Sequence, residues 1–86
     1  MKIWFRLSRS SKTIKETVIE NNEDISRTAK VFASLEKACH DWDLAVPIWL
    51  DATINEFRYR ARGRFPRDSF HEDVDFDYME IRVLEE

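Results

Sequence analysis

The sequence predicts an α+β domain: a small, mainly antiparallel sheet, made of an N-terminal hairpin and a C-terminal strand, packed against one long and one short helix. Three observations carry this. Lys2 to Leu7 alternate, with Ile3, Phe5 and Leu7 on one side and Lys2, Trp4 and Arg6 on the other, the period of a half-buried strand. Ile25, Thr28, Phe32, Leu35, Cys39 and Trp42 recur at spacings of 3, 4, 3, 4 and 3, the period of an amphipathic helix. Near the C-terminus Met79, Ile81 and Val83 alternate again with Tyr78, Glu80, Arg82 and Leu84.

Taken in order, Lys2–Leu7 is the first strand and Ser8–Lys12 a polar turn. Thr13–Glu20, with Ile14, Val18 and Ile19, is a second strand pairing back as a hairpin. Asn21-Asn22-Glu23-Asp24 supplies capping residues and acids suited to a helix N-terminus. The 3–4 stripe follows, with Arg27, Lys30, Glu36, Lys37 and Asp41 on its wet sides. Pro47 ends any helical continuation and opens the apolar stretch Ile48-Trp49-Leu50. Thr53 and Glu56 have capping-box spacing, placing Ile54 and Phe57 on a short second helix that reaches about Ala61. Ser69 and Glu72 repeat the box around Phe70. Val74–Leu84 is the closing strand. There Asp73, Asp75 and Asp77 share the parity of Met79, so this acidic half is expected to project beyond the packed sheet.

Composition narrows the function. A 43% apolar share with three tryptophans, two tyrosines and six phenylalanines supplies one core despite 36% charged residues. No repeat, low-complexity tract or Ser/Gly linker divides the chain, so residues 1–86 are expected to form one domain. Gly63 is the only glycine, which excludes the glycine-rich loops that cradle phosphates. Cys39 is the only cysteine, so an internal disulfide is impossible and a cytoplasmic location is expected; its simplest role is a small buried apolar side chain. No apolar run reaches the roughly 18–20 residues of a membrane span, and the N-terminus lacks a signal-peptide pattern.

Metal and catalytic chemistry find little support. Cys39, His40, Asp41, Asp43 and His71 lack paired metal-ligand spacing, and Asp73, Asp75 and Asp77 lack the glycine and glutamate of a calcium loop. Cys39 and His40 are adjacent in sequence, the wrong relation for a nucleophile and its base. No cofactor is expected, and the chain is not expected to be an enzyme.

Charge patterning is the strongest functional signal. Arg58, Arg60, Arg62, Arg64 and Arg67 fall in an acid-free run, whereas Asp68–Glu86 holds eight acids against Arg82 alone. The net charge of −3 thus conceals two opposed local fields. In an extended chain Arg58, Arg60, Arg62 and Arg64 share one side; in a helix they form two i, i+4 pairs. Paired with Tyr59, they suit RNA or single-stranded DNA. The opposing consideration is a sequence pI near 5.4, and neutralisation by the neighbouring acids. Asp73, Asp75, Asp77 and Glu80 in turn suit a protein partner with a basic nucleic-acid groove, or serve as a solvated edge that blocks strand pairing. Trp4, flanked by Lys2 and Arg6, suits an interface anchor wherever no helix covers its face.

Met1-Lys2-Ile3-Trp4-Phe5-Arg6, Ser26-Arg27-Thr28, Pro47-Ile48-Trp49-Leu50-Asp51, Asp68-Ser69-Phe70 and Asp75-Phe76-Asp77-Tyr78-Met79-Glu80-Ile81 resemble a group of short acidic proteins of Gram-positive gut bacteria and their mobile elements. That resemblance implies a cytoplasmic accessory protein, of a kind that includes inhibitors of defence nucleases such as CRISPR effectors. It implies no activity, cofactor or catalytic residue, and the arginine alternation is richer than the group leads one to expect. The expectation is therefore a small interaction module binding a macromolecular partner through charged surfaces. Its sharper form is a mobile-element inhibitor or regulator acting through Asp73, Asp75, Asp77, Glu80 and Trp4. The alternative is RNA or single-stranded DNA binding through Arg58, Tyr59, Arg60, Arg62 and Arg64.

Overall fold

The computed structural model describes all 86 residues. Strands β1 (Lys2–Arg9) and β2 (Lys12–Glu20) precede helices α1 (Arg27–Asp41) and α2 (Asp51–Arg60). The chain then re-enters the sheet as β3 (Arg62–Pro66), makes a 3-10 turn at Arg67–Ser69 and closes with β4 (Tyr78–Glu85). All pairings are antiparallel, in the order β2-β1-β4-β3. The hairpin, the closing strand and the two helices of the expected α+β fold are present. Strand β3 is an addition that the arginine run concealed. No helix is long and apolar enough to cross a membrane.

The hairpin turns on Ser10 and Ser11, both at positive φ (52° and 64°). Two-residue turns of this hand favour Asn and Gly, so the two serines carry local strain. A hydrogen bond offsets part of it: the Ser10 amide donates to Asp77 Oδ2 at 2.8 Å. Between Leu7 and Ser8 the register slips by one residue on the β2 side, a bulge that leaves Ile14 unpaired.

Helix α1 starts later than the acidic cluster suggests. Its cap is Ser26, whose Oγ accepts from the Ala29 amide at 3.1 Å, while Asn21 Oδ1 instead accepts from the Glu23 amide at 3.0 Å. The buried face is Val31, Ser34, Leu35, Ala38 and Cys39. It shares only Leu35 and Cys39 with the expected stripe, and Phe32 is 52% exposed. The physical reason is size: Ser34 and Ala38 let the helix approach the sheet closely, a preference invisible to a pattern of large apolar residues.

Helix α2 begins at Asp51 with Leu50 as its cap and no side-chain cap bond, so the Thr53–Glu56 box does not form. Thr53 lies inside the helix and its Oγ1 donates to the Arg64 carbonyl at 2.7 Å, tying helix to strand. Ala61, at φ 54° and ψ 30°, ends the helix in the left-handed region and redirects the chain into β3. Gly63 sits where α2 crosses that strand. A Cβ there would meet Thr53 Cγ2 at 3.3 Å and the Thr53 carbonyl at 3.4 Å, so a side chain at this position would press on Thr53 and make it give by a few tenths of an ångström.

The helices cover one face of the sheet, α1 lying on β1 and β2 and α2 on β3. Between them and the sheet are Ile3, Phe5, Leu7, Ile19, Phe65, Met79 and Ile81, all less than 9% exposed. Each such side chain contributes roughly 1.5–3 kcal/mol by leaving water. Strand β4 is shorter than the expected Val74–Leu84, because the chain bends before Tyr78. Phe76, although it has the same alternating parity as Tyr78, is 1% exposed and meets Phe70 edge to face at 5.2 Å. The Ser69–Glu72 box is also replaced: the 3-10 turn lies earlier, and Glu72 Oε1 accepts from the Ala45 amide at 3.3 Å.

Two predictions follow from this packing. Gly63→Val should cost about 1–3 kcal/mol in urea unfolding, and Gly63→Ala less, because the added methyls press on Thr53; an unchanged midpoint for Gly63→Val would show that α2 is free to shift. Burial pushes the Cys39 thiol up to about 11 from 9.0. Its folded pKa is raised, so its contribution to stability is complete below pH 9 and lost as pH rises from 9 toward 11. Near neutral pH, disulfide-exchange reagents should modify Cys39 no faster than the protein unfolds, checked by thiol-release absorbance.

Candidate functional site: the open face of the sheet

Strand pairing sets the outward side chains in cross-strand rows. One row is Val18, Trp4, Arg82 and Arg62; the next is Glu16, Arg6, Glu80 and Arg64; a third is Thr13, Ser8, Tyr78 and Pro66. No helix covers these rows. Trp4 therefore stands on an uncovered face, the condition under which the sequence made it an anchor.

Cations and rings interleave here. The Arg6 and Arg82 guanidiniums lie 5.3 and 5.5 Å from the Trp4 ring centroid. Arg6 is also 5.9 Å from the Tyr78 ring, and Arg64 only 4.4 Å from it. The series Arg82, Trp4, Arg6, Tyr78, Arg64 forms a continuous stacked layer, each contact worth about 0.5–1 kcal/mol at such sites. Stacking also holds the arginine forks in place, which reduces the entropy lost when they bind an anion.

Glu80 anchors the layer and is 8% exposed. Its Oε1 accepts from Arg6 Nη2 at 2.6 Å and its Oε2 from Arg82 Nη2 at 3.4 Å. Arg6 donates further to the Tyr78 hydroxyl at 3.2 Å and to Thr13 Oγ1 at 3.4 Å. Beside this cluster opens a polar cleft of about 400 Å³ lined by Arg6, Arg62, Arg64 and Arg82, with Glu56 and Glu80 as its only acids. Four guanidiniums against two carboxylates leave a local surplus of two positive charges.

The sequence-selected residues separate into different environments. Asp75 pairs with Arg9 at 3.4 Å. Asp77 pairs with Arg67 at 3.1 Å and supports the hairpin turn. Asp73, Asp75 and Asp77 precede β4 in a loop rather than forming one row of a strand, and only Asp73 lacks a partner. Glu80 is enclosed by arginines. The acids are thus largely occupied, though mainly by Arg6, Arg9 and Arg82 from outside the arginine run.

That run is divided as well. Arg62 and Arg64 point outward from β3, Arg58 lies between the helices, and Arg60 and the 80%-exposed Tyr59 sit on α2. The ion pairs of the molecule use Lys2, Arg6, Arg9, Arg27, Lys37, Arg67 and Arg82. Arg58, Arg60, Arg62 and Arg64 enter none. Arg6, Tyr78 and Arg82 belong to the site and were missed in sequence, because only pairing across strands distant in sequence brings them beside Arg64.

Glu80→Gln should lower stability by about 1–3 kcal/mol in chemical denaturation, since Arg6 and Arg82 lose their charged acceptor. An unaltered midpoint would remove Glu80 as the organiser of this face. No family model, curated protein or solved structure matches the chain.

Proposed function

We propose that the open face of the sheet binds single-stranded nucleic acid, RNA or DNA, with phosphates on Arg62 and Arg64 and bases stacked on the layer around Trp4 and Tyr78. The observation carrying this reading is the pairing state of the arginines: Arg62 and Arg64 have no carboxylate within ion-pair distance, and Arg64 lies 4.4 Å from the Tyr78 ring on an uncovered sheet. Alternate strand residues are about 6.8 Å apart, a repeat that two phosphates of an extended strand can meet. Bases stack on aromatic rings and guanidinium planes alike, and stacking is tolerant of sequence.

Electrostatics limits the footprint. Glu16 and Glu20 on β2 make that side of the face acidic, and the whole chain carries −3. Binding is therefore confined to the β3–β4 side, is short in reach and weakens steeply with salt. The reading through Asp73, Asp75, Asp77 and Glu80 as a protein-binding acidic strand has less support, since three of the four already hold arginines.

Fluorescence anisotropy with labelled single-stranded oligonucleotides at low salt tests the proposal. Arg62→Ala with Arg64→Ala should weaken binding at least tenfold and flatten the slope of log affinity against log salt by about 1–1.5, two phosphate contacts at about 0.7 each. Trp4→Ala should cost about 1–3 kcal/mol, the value of one stacked base. Glu80→Gln, which adds one net positive charge, should tighten binding in whatever fraction remains folded. Absence of any shift for the unaltered protein at low salt would refute the assignment.

A further inference from the structure

The helical side carries a second surface of opposite character. Between α1 and α2 lies a groove of about 420 Å³, whose apolar walls include Phe32, Trp49, Ile54 and Phe57 and whose cations are Arg27 and Arg58. Phe32 is 52% and Ile54 39% exposed, although both are large and apolar. Trp49 makes the groove rigid: its ring meets Phe32 at 6.1 Å, Phe57 at 5.4 Å and the fully buried Phe65 at 4.8 Å, each edge to face. A continuous aromatic series thus runs from the core to the exposed Phe32, giving a firm apolar floor instead of a loose patch.

The two cations differ in their state. Arg27 lies 5.7 Å from the Phe57 ring and donates to both Glu86 oxygens, at 2.8 and 3.2 Å. This pairing holds the Glu86 carboxyl below the usual carboxylate range. A carboxylate carried on an adjoining segment therefore already sits at one side of the groove. Arg58 has no acid at all.

We propose that this groove docks an amphipathic helix of a partner protein, one that presents acidic residues beside its apolar stripe. The apolar stripe would cover Phe32 and Ile54, and an acid would meet Arg58 as Glu86 meets Arg27. A second copy of this chain is a poorer occupant: a two-fold interface pairs this patch with itself, so the unpaired charge of Arg58 in one copy is met by a patch with the same positive surplus rather than by an acid. Nucleic acid is poorer too, since the walls offer apolar side chains where phosphates need donors.

The probes are two synthetic peptides of about 16 residues, roughly four helical turns. Both carry leucines at i, i+3, i+4 and i+7, flanked by glutamates in one and by lysines in the other; laurate is a third probe. Labelled-peptide anisotropy should show the glutamate peptide binding at least tenfold more tightly than the lysine peptide. Phe32→Glu and, separately, Arg58→Glu should each weaken it at least tenfold. Both positions are exposed, and thermal melts confirm folding; if Phe32→Glu fails to fold, Arg58→Glu decides. Arg62→Ala with Arg64→Ala should leave peptide binding unchanged, which separates this inference from the open-face proposal. Equal binding of both peptides, binding of neither at millimolar concentration, binding of laurate alone, or self-association abolished by Phe32→Glu would each overturn it.

Discussion

Strand β4 pairs with β1 on one side and β3 on the other, and nearly every feature of both sheet faces depends on that double pairing. It joins positions as remote as Arg6 and Glu80, 74 residues apart, so folding must meet the entropy of closing nearly the whole chain before the pairing rewards it. Inward, the reward is Phe5 beside Ile81 and Phe65 beside Met79, with all four side chains fully buried. Outward, it is Arg6 and Arg82 converging on one carboxylate. The same backbone hydrogen bonds therefore build the core and gather the arginines.

Charge in this chain is divided by position rather than cancelled in bulk. Acids of the C-terminal third are drawn into structural tasks: Asp77 supports a strained serine turn, Glu72 accepts a loop amide, and Glu80 holds two guanidiniums. Their basic partners come chiefly from the first strand and from β4 itself. The arginines of the 58–64 run are left over as a consequence, and the surplus positive charge falls on the β3 side although the molecule as a whole is acidic. A net charge predicts solubility and long-range field, and here its sign is opposite to that of the β3-side cleft.

The two faces of the sheet also divide the chemistry. One is wet and, on its β3–β4 side, cationic and aromatic. The other carries helices whose junction remains apolar at the surface, because α1 turns Val31 and Leu35 inward and leaves Phe32 outside. That rotation follows from Ser34 and Ala38, whose small size favours close approach to the sheet. It strands a phenylalanine in solvent as the cost of tight packing beneath.

Local chemistry alone determined the alternating strands at both ends, the long helix and the second helix through Phe57. In each, a period of two or near 3.6 acts within a few residues, whereas the long helix stops at Asp41, before Pro47, as the chain turns through Asp43 at positive φ. That Asp73, Asp75 and Asp77 lie outside the packed strand was legible too, since three carboxylates cannot share a face with Met79 and Ile81 in apolar surroundings; but the segment folds back onto Ser8, Arg9 and Ser10 instead of projecting. Tertiary structure decided the rest. Strand β3 exists because Gly63 admits α2 and Phe65 finds the core, neither of which a run of arginines announces. Phe76 went inward because Phe70 was there to receive it. Tyr78, Arg6 and Arg82 became neighbours of Arg64 only through cross-strand register, a relation between segments that no local pattern encodes.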